Sequence, residues 1–319
     1  MRPKPLTDLL NSVNKQLLYP DEILIVDGSR DELTKEALKN TSHENLRYYK
    51  VEEKDRGLTK QRNYGIARVA SDIDVVCFLD DDIILEDTYF QKLIGTYREH
   101  PEAGGVGGFI TNEVVWNRVK EGEKITEKQY ESNGWVRALG SRNLLRKKLG
   151  LLSDKPPGVM PEFSNGLPVG FLPPTNETYP VEYFMGGVSS FRKEVVETIK
   201  FSKYFTGYGL YEDLEYCLRV SQKYDLYLNT SAKLAHYHDA GGRPNQYSYG
   251  RMVTRNGWLV WRTRYPKPSF KARVKWNLIL LVLTFVKLTN MKSEGFGAFQ
   301  QVLGRVSGWL SLLYNKPKA

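Results

Sequence analysis

Apolar and polar positions follow two alternating periods along the first 110 residues. Short apolar runs, typical of strands buried in a sheet, occupy about 22–26, 46–51, 74–79 and 104–110. Apolar residues at three- and four-residue spacing predict helices at about 5–18, 30–39, 58–69 and 87–99. Strands that alternate with helices predict βαβ units. We therefore expect an α/β fold with a Rossmann-like, mostly parallel sheet flanked by helices.

The alternation stops over residues 111–180, which are rich in Pro, Gly, Asn and Lys. A loop of this length is uncommon unless it is functional, so we interpret it as an insertion on the acceptor side, with a helix at about 134–149. Further helices are expected at about 190–199 and 212–223.

The C-terminal segment is helical and basic in this interpretation. Residues 241–319 hold 14 Lys and Arg and one acid, whereas residues 1–240 hold 32 basic and 36 acidic residues. We therefore divide the chain at residue 240 into an α/β domain and a basic tail. Apolar stretches at 276–286 and 296–314 are too short or too interrupted to span a bilayer, which needs about 20 apolar residues.

An anionic partner is expected for such a tail, either a membrane or a nucleic acid. Basic residues beside apolar helices favour peripheral membrane contact through 264–314. Nucleic acid ranks lower because no nucleic-acid module is recognisable. The alternative is that both helices pack on the α/β domain or on a second subunit. Two cysteines and an N-terminus without a signal-type apolar region indicate a cytoplasmic protein, with the inner face of the membrane as its location if contact occurs.

Three consecutive carboxylates, Asp80, Asp81 and Asp82, follow the strand predicted at 74–79. Ligands of open α/β sheets bind beyond the carboxyl ends of the strands. In extended chain Asp80 and Asp82 point the same way, which suits a divalent cation that also holds a diphosphate. The alternative is a solvated acidic turn that caps the next helix.

Several motifs occur in a fixed order along the chain. Asp27 ends the first visible strand, 57–65 opens a helix, Asp80–Asp82 follow, and 207–213 opens a later helix with the pair Glu212-Asp213. This order and spacing resembles the family 2 glycosyltransferases of the GT-A fold, over residues 5–240. The resemblance implies metal-dependent, inverting transfer of a sugar from a nucleotide-diphosphate donor to a glycan or lipid-linked glycan, as in polysaccharide biosynthesis.

The resemblance also implies roles for individual residues. On the donor side, Asp27 would bind the base, Asp81 would reach the ribose, and Asp80 would support the cluster. The other donor-side residues would be Arg62, Asn63, Gly65, Gly186 and Gly187. Asp27 has a competing interpretation as a turn residue before Gly28, and Arg62 has one as a helix-surface residue.

The same resemblance assigns the metal and the general base. Asp82, Asp80 and one histidine would hold Mn²⁺ or Mg²⁺. Alternation does not choose between His236 and His238, and we prefer His238 because it lies closer to the expected strand end. Asp213 would be the general base and Glu212 an acceptor-side residue. For both of these acids the alternative is a helix first turn that favours negative charge.

One feature of the family is missing, because its members normally begin with a strand that enters the nucleotide site. This chain starts in what looks like the first helix. Either the natural protein is longer, or the chain is a homologue that binds donor poorly and serves as a binding or assembly subunit. A nucleotidyltransferase is a further alternative, although a phosphate-cradling Gly-rich loop is not visible near the N-terminus.

Overall fold

The computed structural model describes residues 2–39, 41–238, 244–289 and 291–318. The chain forms two compact units. Unit 1 comprises residues 1–116 and 172–240, and unit 2 comprises residues 117–171 and 241–319. Residues 111–180, predicted as an insertion, are thus divided between the units.

The elements of unit 1 alternate between strands and helices. Its strands are β1 Ile23–Asp27, β2 Leu46–Lys50, β3 Val75–Leu79, β4 Ile83–Leu85, β5 Ala103–Ile110, β9 Thr178–Val181, β10 Val188–Arg192 and β11 Asp225–His236. Its helices are α1 Pro3–Val13, α2 Leu33–Lys39, α3 Leu58–Ile66, α4 Tyr89–Glu99, α6 Lys193–Thr198 and α7 Glu212–Val220.

A six-stranded sheet forms the centre of unit 1, in the order β3-β10-β5-β11-β4, with β9 also paired to β11. Strands β3 and β5 are both antiparallel to β10, and β11 is parallel to β5, so these three run in one direction. Helices α1 and α4 bury Leu10 and Leu93 in the core that covers this sheet. The predicted α/β class is confirmed.

Strand β1 pairs with β2 in a separate, parallel two-stranded sheet. A cavity of about 710 Å³ is lined by consecutive residues of both β1, at 23–26, and β3, at 75–79. Within the described part of the chain no strand lies between them.

Unit 2 contains a small sheet and the C-terminal helices. Its strands are β6 Asn117–Arg118, β7 Gln129–Ser132 and β8 Trp135–Ala138, and its helices are α5 Ser141–Lys148, α8 Gln246–Arg264, α9 Phe270–Thr289, α10 Met291–Glu294 and α11 Phe296–Ser311. No helix in the described ranges is both long enough and apolar enough to cross a membrane.

Two predicted helices begin too early. The helix expected at 134–149 starts only at Ser141, because residues 135–138 form β8 and pair with β7 through a two-residue turn. Asn133 and Gly134 of that turn have φ values of 50° and 73°, the conformation that Asn-Gly favours in tight hairpins. The helix expected at 190–199 starts at Lys193, because residues 188–192 form the central strand β10.

Candidate active site

A small cavity of about 90 Å³ lies in unit 1, beyond the carboxyl end of β3 and beside the first turn of α7. Acidic, basic and glycine residues from distant parts of the chain line it, namely Arg62, Asp80, Gly186, Gly187, Glu212, Asp213 and His236. The sheet topology therefore brings together residues that lie up to 174 positions apart in the sequence. Most of them are residues that the sequence singled out.

Two carboxylates and one imidazole form a candidate cation site. Ligand atoms of Asp80, Asp82 and His236 all lie within 4.8 Å of one another. The short strand β4 pairs antiparallel with the end of β11, so Ile83 faces His236 and the preceding residue, Asp82, lies beside the imidazole. His236 Nε2 lies 3.3 Å from Asp82 Oδ1.

The protonation of this cluster follows from its contacts. Burial alone would raise the pKa of Asp82, but hydrogen bonds from His236 and Arg2 outweigh it and bring that pKa to about 2. Hydrogen bonds to Asp82 and Glu113 raise the pKa of His236 to about 9. The side chain of Asp80 is 43% exposed, but the exposed part faces the two cavities, which protein surrounds. The resulting desolvation of the carboxylate raises its pKa.

Glu113 links the two histidines of the motif at 236–238. Its Oε1 lies 2.8 Å from His236 Nδ1 and 2.9 Å from His238 Nε2. The carboxylate thereby orients the imidazole of His236 so that Nε2 faces Asp82, an arrangement common around metal-binding histidines. His238 is half exposed and belongs to a second possible cation cluster with Glu113 and His236. The geometry thus favours His236 over the expected His238 as the partner of Asp80 and Asp82.

Arg2 contacts the acidic triplet from the start of the described chain. Its backbone N–H donates to Asp81 Oδ2 at 2.9 Å, and its guanidinium contacts Asp81 and lies 3.0 Å from Asp82 Oδ2. Asp81 is therefore neutralised by an arginine within the chain. A positive charge beside three neighbouring carboxylates relieves their mutual repulsion.

The carboxylate of Asp213 is fixed by two backbone donors. Gly186 N–H donates to Oδ2 at 3.1 Å, and Leu214 N–H donates to Oδ1 at 2.7 Å. Each oxygen keeps a further lone pair for another partner. Asp213 lies in the first turn of α7, where the helix dipole favours a negative charge.

Gly186 and Gly187 allow the backbone to approach these acids. A Cβ on Gly187 would lie 2.1 Å from Asp80 Oδ2, and a Cβ on Gly186 would lie 2.8 Å from an Arg62 nitrogen and 2.9 Å from Asp213 Cβ. Any side chain at either position would displace a residue of the site. The paired glycines are thus explained by close packing around the small cavity.

Arg62 joins the acids on opposite sides of this cavity. It forms a 2.5 Å ion pair with Glu212 and lies 3.8 Å from Asp80. Both partners of the closer pair are buried. Burial raises the pKa of Glu212 to about 8 even though Arg62 opposes the shift. Glu212 Oε2 has no hydrogen-bond partner among the described residues, so it can accept a hydrogen bond from a ligand.

Three other predicted donor-side residues make contacts within the protein. Asp27 is fully buried, and its carboxylate accepts hydrogen bonds from Ser29 and from Tyr48 Oη at 2.8 Å. Asn63 exchanges two hydrogen bonds with the backbone of Phe201. A Cβ on Gly65 would make ordinary contact with Val26. This geometry supports the turn interpretation of Asp27 and packing roles for Asn63 and Gly65.

Sequence reasoning missed Arg2, Glu113 and Tyr48. Arg2 lies in a segment without a readable motif, and Glu113 follows β5 at the start of the region predicted as an insertion. Tyr48 could have been found, because a strand parallel to β1 brings its residues beside Asp27. Glu113 could also have been found. It lies just beyond the end of β5, and β5 is the parallel neighbour of β11, which ends at His236.

Comparisons with known proteins concern the family and the fold of the chain. The family model described as "Glycosyl transferase family 2" matches residues 1–161. Among solved structures, the mannosyltransferase PcManGT from Pyrobaculum calidifontis, in complex with GDP-Man and Mn²⁺, is similar with a TM-score of 0.53 and 10% identity, over 99% of this chain and 85% of that one. The chain matches no curated protein in sequence.

A second similar structure is that of GalNAc-T7 with UDP, GalNAc and Mn²⁺. The TM-score is 0.50 and the identity 17%, over 81% of this chain. The present chain spans about half, 47%, of the length of GalNAc-T7. At these identities the likeness concerns the fold, and it confirms the expected GT-A fold.

Proposed function

Because the chain belongs to glycosyl transferase family 2, we propose that it transfers a sugar from a nucleotide-diphosphate sugar to an acceptor hydroxyl with inversion. The observation that carries the proposal is that Asp80 and His236 line one small cavity together with Asp213. The acceptor is a glycan or a lipid-linked glycan, used in the cytoplasm for polysaccharide synthesis, and the transferred sugar is a hexose.

A divalent cation fits the residues of this site. Two carboxylates and an imidazole, with ligand atoms within 4.8 Å, match the donor set that suits Mn²⁺, and all-oxygen ligation would suit Mg²⁺ better. Asp80, Asp82 and His236 would hold the ion once Nε2 of His236 has lost its proton, with Glu113 behind His236. When bound, such an ion stabilises the negative charge of a departing nucleoside diphosphate.

Asp213 acts as the general base in this proposal. An acceptor hydroxyl is a weak nucleophile near neutral pH, so a carboxylate must take its proton as the oxygen attacks the anomeric carbon. The amides of Gly186 and Leu214 orient the carboxylate, and the lone pairs they leave free can receive the proton. A single displacement of this kind inverts the anomeric configuration, because the acceptor enters opposite the leaving group.

Glu212 binds the acceptor in this proposal, and Arg62 holds the two sides of the site together. Glu212 is held by its ion pair with Arg62, so its carboxylate serves as a hydrogen-bond acceptor. Its unpartnered Oε2 suits a hydrogen bond with an acceptor hydroxyl. Arg62 fixes Glu212 at 2.5 Å while facing Asp80 at 3.8 Å, so it couples the acceptor side to the donor side.

The donor side uses Gly186 and Gly187, whose backbone lies against Asp80 and Asp213 without intervening side chains. Asp81 binds the ribose, in competition with Arg2. Asp27 supports the base pocket through Ser29 and Tyr48. The cavity of about 710 Å³ between β1 and β3 leaves room for a further extended segment.

That cavity also favours a second candidate function, a donor-blind binding or assembly subunit, since an open space of about 710 Å³ leaves the base pocket without one wall. A nucleotidyltransferase ranks third. Release of nucleoside diphosphate from a panel of nucleotide sugars, with and without Mn²⁺, separates the three. Sugar-bearing product with Mn²⁺-dependent diphosphate release supports the proposal, pyrophosphate release supports nucleotidyl transfer, and silence of a form extended at its N-terminus supports the binding subunit.

A further inference from the structure

Helix α9 of unit 2 turns large apolar side chains towards solvent. Its exposed apolar residues are Phe270, Val274, Leu278, Leu281, Phe285 and Leu288. Their spacing of three or four residues places all six on one side of the helix. Phe270 is 80% exposed and Phe285 is 65% exposed. An ordinary surface helix faces solvent with polar residues, whereas α9 exposes apolar residues and also buries Ala272 and Ile279 on its inner side.

Helix α11 repeats the arrangement. Its exposed apolar residues are Phe296, Leu303, Val306 and Leu310, and Leu313 follows directly after the helix. Steps of three, four and seven residues again place them on one side. The opposite side of α11 is buried against α8, where Gly304 and Gly308 allow the two backbones to approach.

The two apolar stripes lie on the same side of the α9–α11 pair. Trp309 donates a hydrogen bond to Asn277 at 2.8 Å, and Arg305 donates one to the carbonyl of Leu283 at 3.1 Å, so the helices are antiparallel. Seen from its own N-terminus, each helix has its stripe about a quarter turn away from the side that contacts the other helix, and the direction of that turn is the same for both helices. Antiparallel packing reverses that sense for one partner, which brings both stripes into one surface, here called the outer apolar face.

The charge around the outer apolar face is positive. Lys271 and Arg273, at the start of α9, flank the stripe on its two sides and are exposed. Residues 241–319 contain 14 Lys and Arg against one acid, Glu294, which is paired with Lys287. A second copy of this chain would bring an equally positive segment against the first, so charge repulsion opposes self-association. An anionic surface complements both the apolar and the charged features.

We propose that the outer apolar face binds the surface of an anionic phospholipid bilayer. The apolar residues of α9 and α11 enter the boundary between headgroups and acyl chains, and the neighbouring cations contact lipid phosphates. Both helices lie in the plane of the bilayer, consistent with the finding that no described helix is suited to span it. The proposal does not depend on the reaction assigned to unit 1.

Flotation of the full chain with vesicles tests the proposal. Vesicles of phosphatidylcholine with phosphatidylglycerol are compared with phosphatidylcholine alone, at low and high salt. The double variant Leu281→Gln/Leu310→Gln is expected to lower the partition coefficient by roughly tenfold or more, because it removes two large apolar groups from the contact. Lys271→Gln/Arg273→Gln is expected to lower it by a similar factor on anionic vesicles, and high salt should also weaken binding.

The matched control is Leu17→Gln/Leu33→Gln, which makes the same change at two exposed leucines of unit 1. It should float like the wild type, and circular dichroism should show that all variants are folded. Light scattering of the free protein tests whether a second copy of the chain covers the outer apolar face instead. The proposal is overturned if the wild type does not float with anionic vesicles at low salt, if the control loses as much binding as Leu281→Gln/Leu310→Gln, or if that variant instead dissociates a dimer.

Discussion

Replacing Gly187 by alanine is expected to destroy the candidate cation site without unfolding the sheet around it. The new Cβ would lie 2.1 Å from Asp80 Oδ2 and 2.2 Å from Asp80 Cγ, whereas ordinary contacts begin at 3.4 Å. The carboxylate must therefore retreat by about 1 Å, far beyond the roughly 0.2 Å tolerance of metal–ligand distances. Asp80 cannot follow easily with its backbone, because its N–H is bonded to the carbonyl of Gly187 at 3.0 Å.

The expected magnitude is a loss of Mn²⁺ affinity of at least roughly 10- to 100-fold, since even the loss of an outer contact of a ligand costs that much. Calorimetric titration with Mn²⁺ measures it, and circular dichroism checks the fold. Gly95→Ala is the matched control, because a Cβ there meets nothing within 4 Å and alanine favours the helix α4 by about 0.5–1 kcal/mol. If Gly187→Ala bound Mn²⁺ with wild-type affinity, Asp80 would not be a ligand and the reasoning would fail.

Four further predictions concern the supports of the site. Glu113→Gln should lower Mn²⁺ affinity by roughly 10- to 100-fold in calorimetry, because the orientation of His236 is lost; an unchanged affinity would exclude this role. Arg62→Met should lower the urea-unfolding free energy by about 3–5 kcal/mol by leaving Glu212 unpaired, and adding Glu212→Gln should restore part of it. Hydrogen bonds from Ser29 and Tyr48 outweigh burial and lower the pKa of Asp27, so its stabilisation is present above about pH 4 and is lost as the pH falls through the lowered pKa. Urea titrations should therefore show a flatter pH profile for Asp27→Asn, and parallel profiles would contradict the assignment. Extending the N-terminus by about ten residues with an apolar strand sequence should raise the melting temperature by filling the cavity beside β3, and an unchanged melting curve would argue against it.

The strands in the first 110 residues could be predicted because their apolar runs are short and regularly spaced. Strands β1, β2, β3 and β5 all lie within two residues of the predicted ranges. The hairpin at 129–138 was missed even though its turn, Asn133-Gly134, is a strong local signal, because the surrounding strands are partly polar and exposed. The sequence at 188–192 predicts the start of a helix instead of β10 because its two apolar residues, Val188 and Phe191, lie three positions apart, which is a helical spacing.

The candidate site was partly predictable for a different reason. Acidic and glycine motifs that end strands or open helices meet at one edge of an α/β sheet, so Asp80, Asp82, Gly187 and Asp213 were within reach of sequence reasoning. The register of strand pairing could not be predicted from the sequence. The antiparallel pairing of β4 with β11 is what places His236, and not His238, beside Asp82. The hydrogen bonds that occupy the side chain of Asn63 could not be predicted from the sequence either, because their partner is the backbone of a segment far away in the chain.

The role of Asp213 is tested by comparing Asp213→Asn with the wild type, on a donor chosen by a thermal-shift screen of nucleotide sugars with Mn²⁺. Turnover is expected to fall by about 10²–10⁴-fold while the dissociation constant of the donor hardly changes, because the carboxylate serves as base and does not hold the nucleotide. Near-normal turnover of Asp213→Asn, or a loss of donor binding that matches the loss of turnover, would contradict this role.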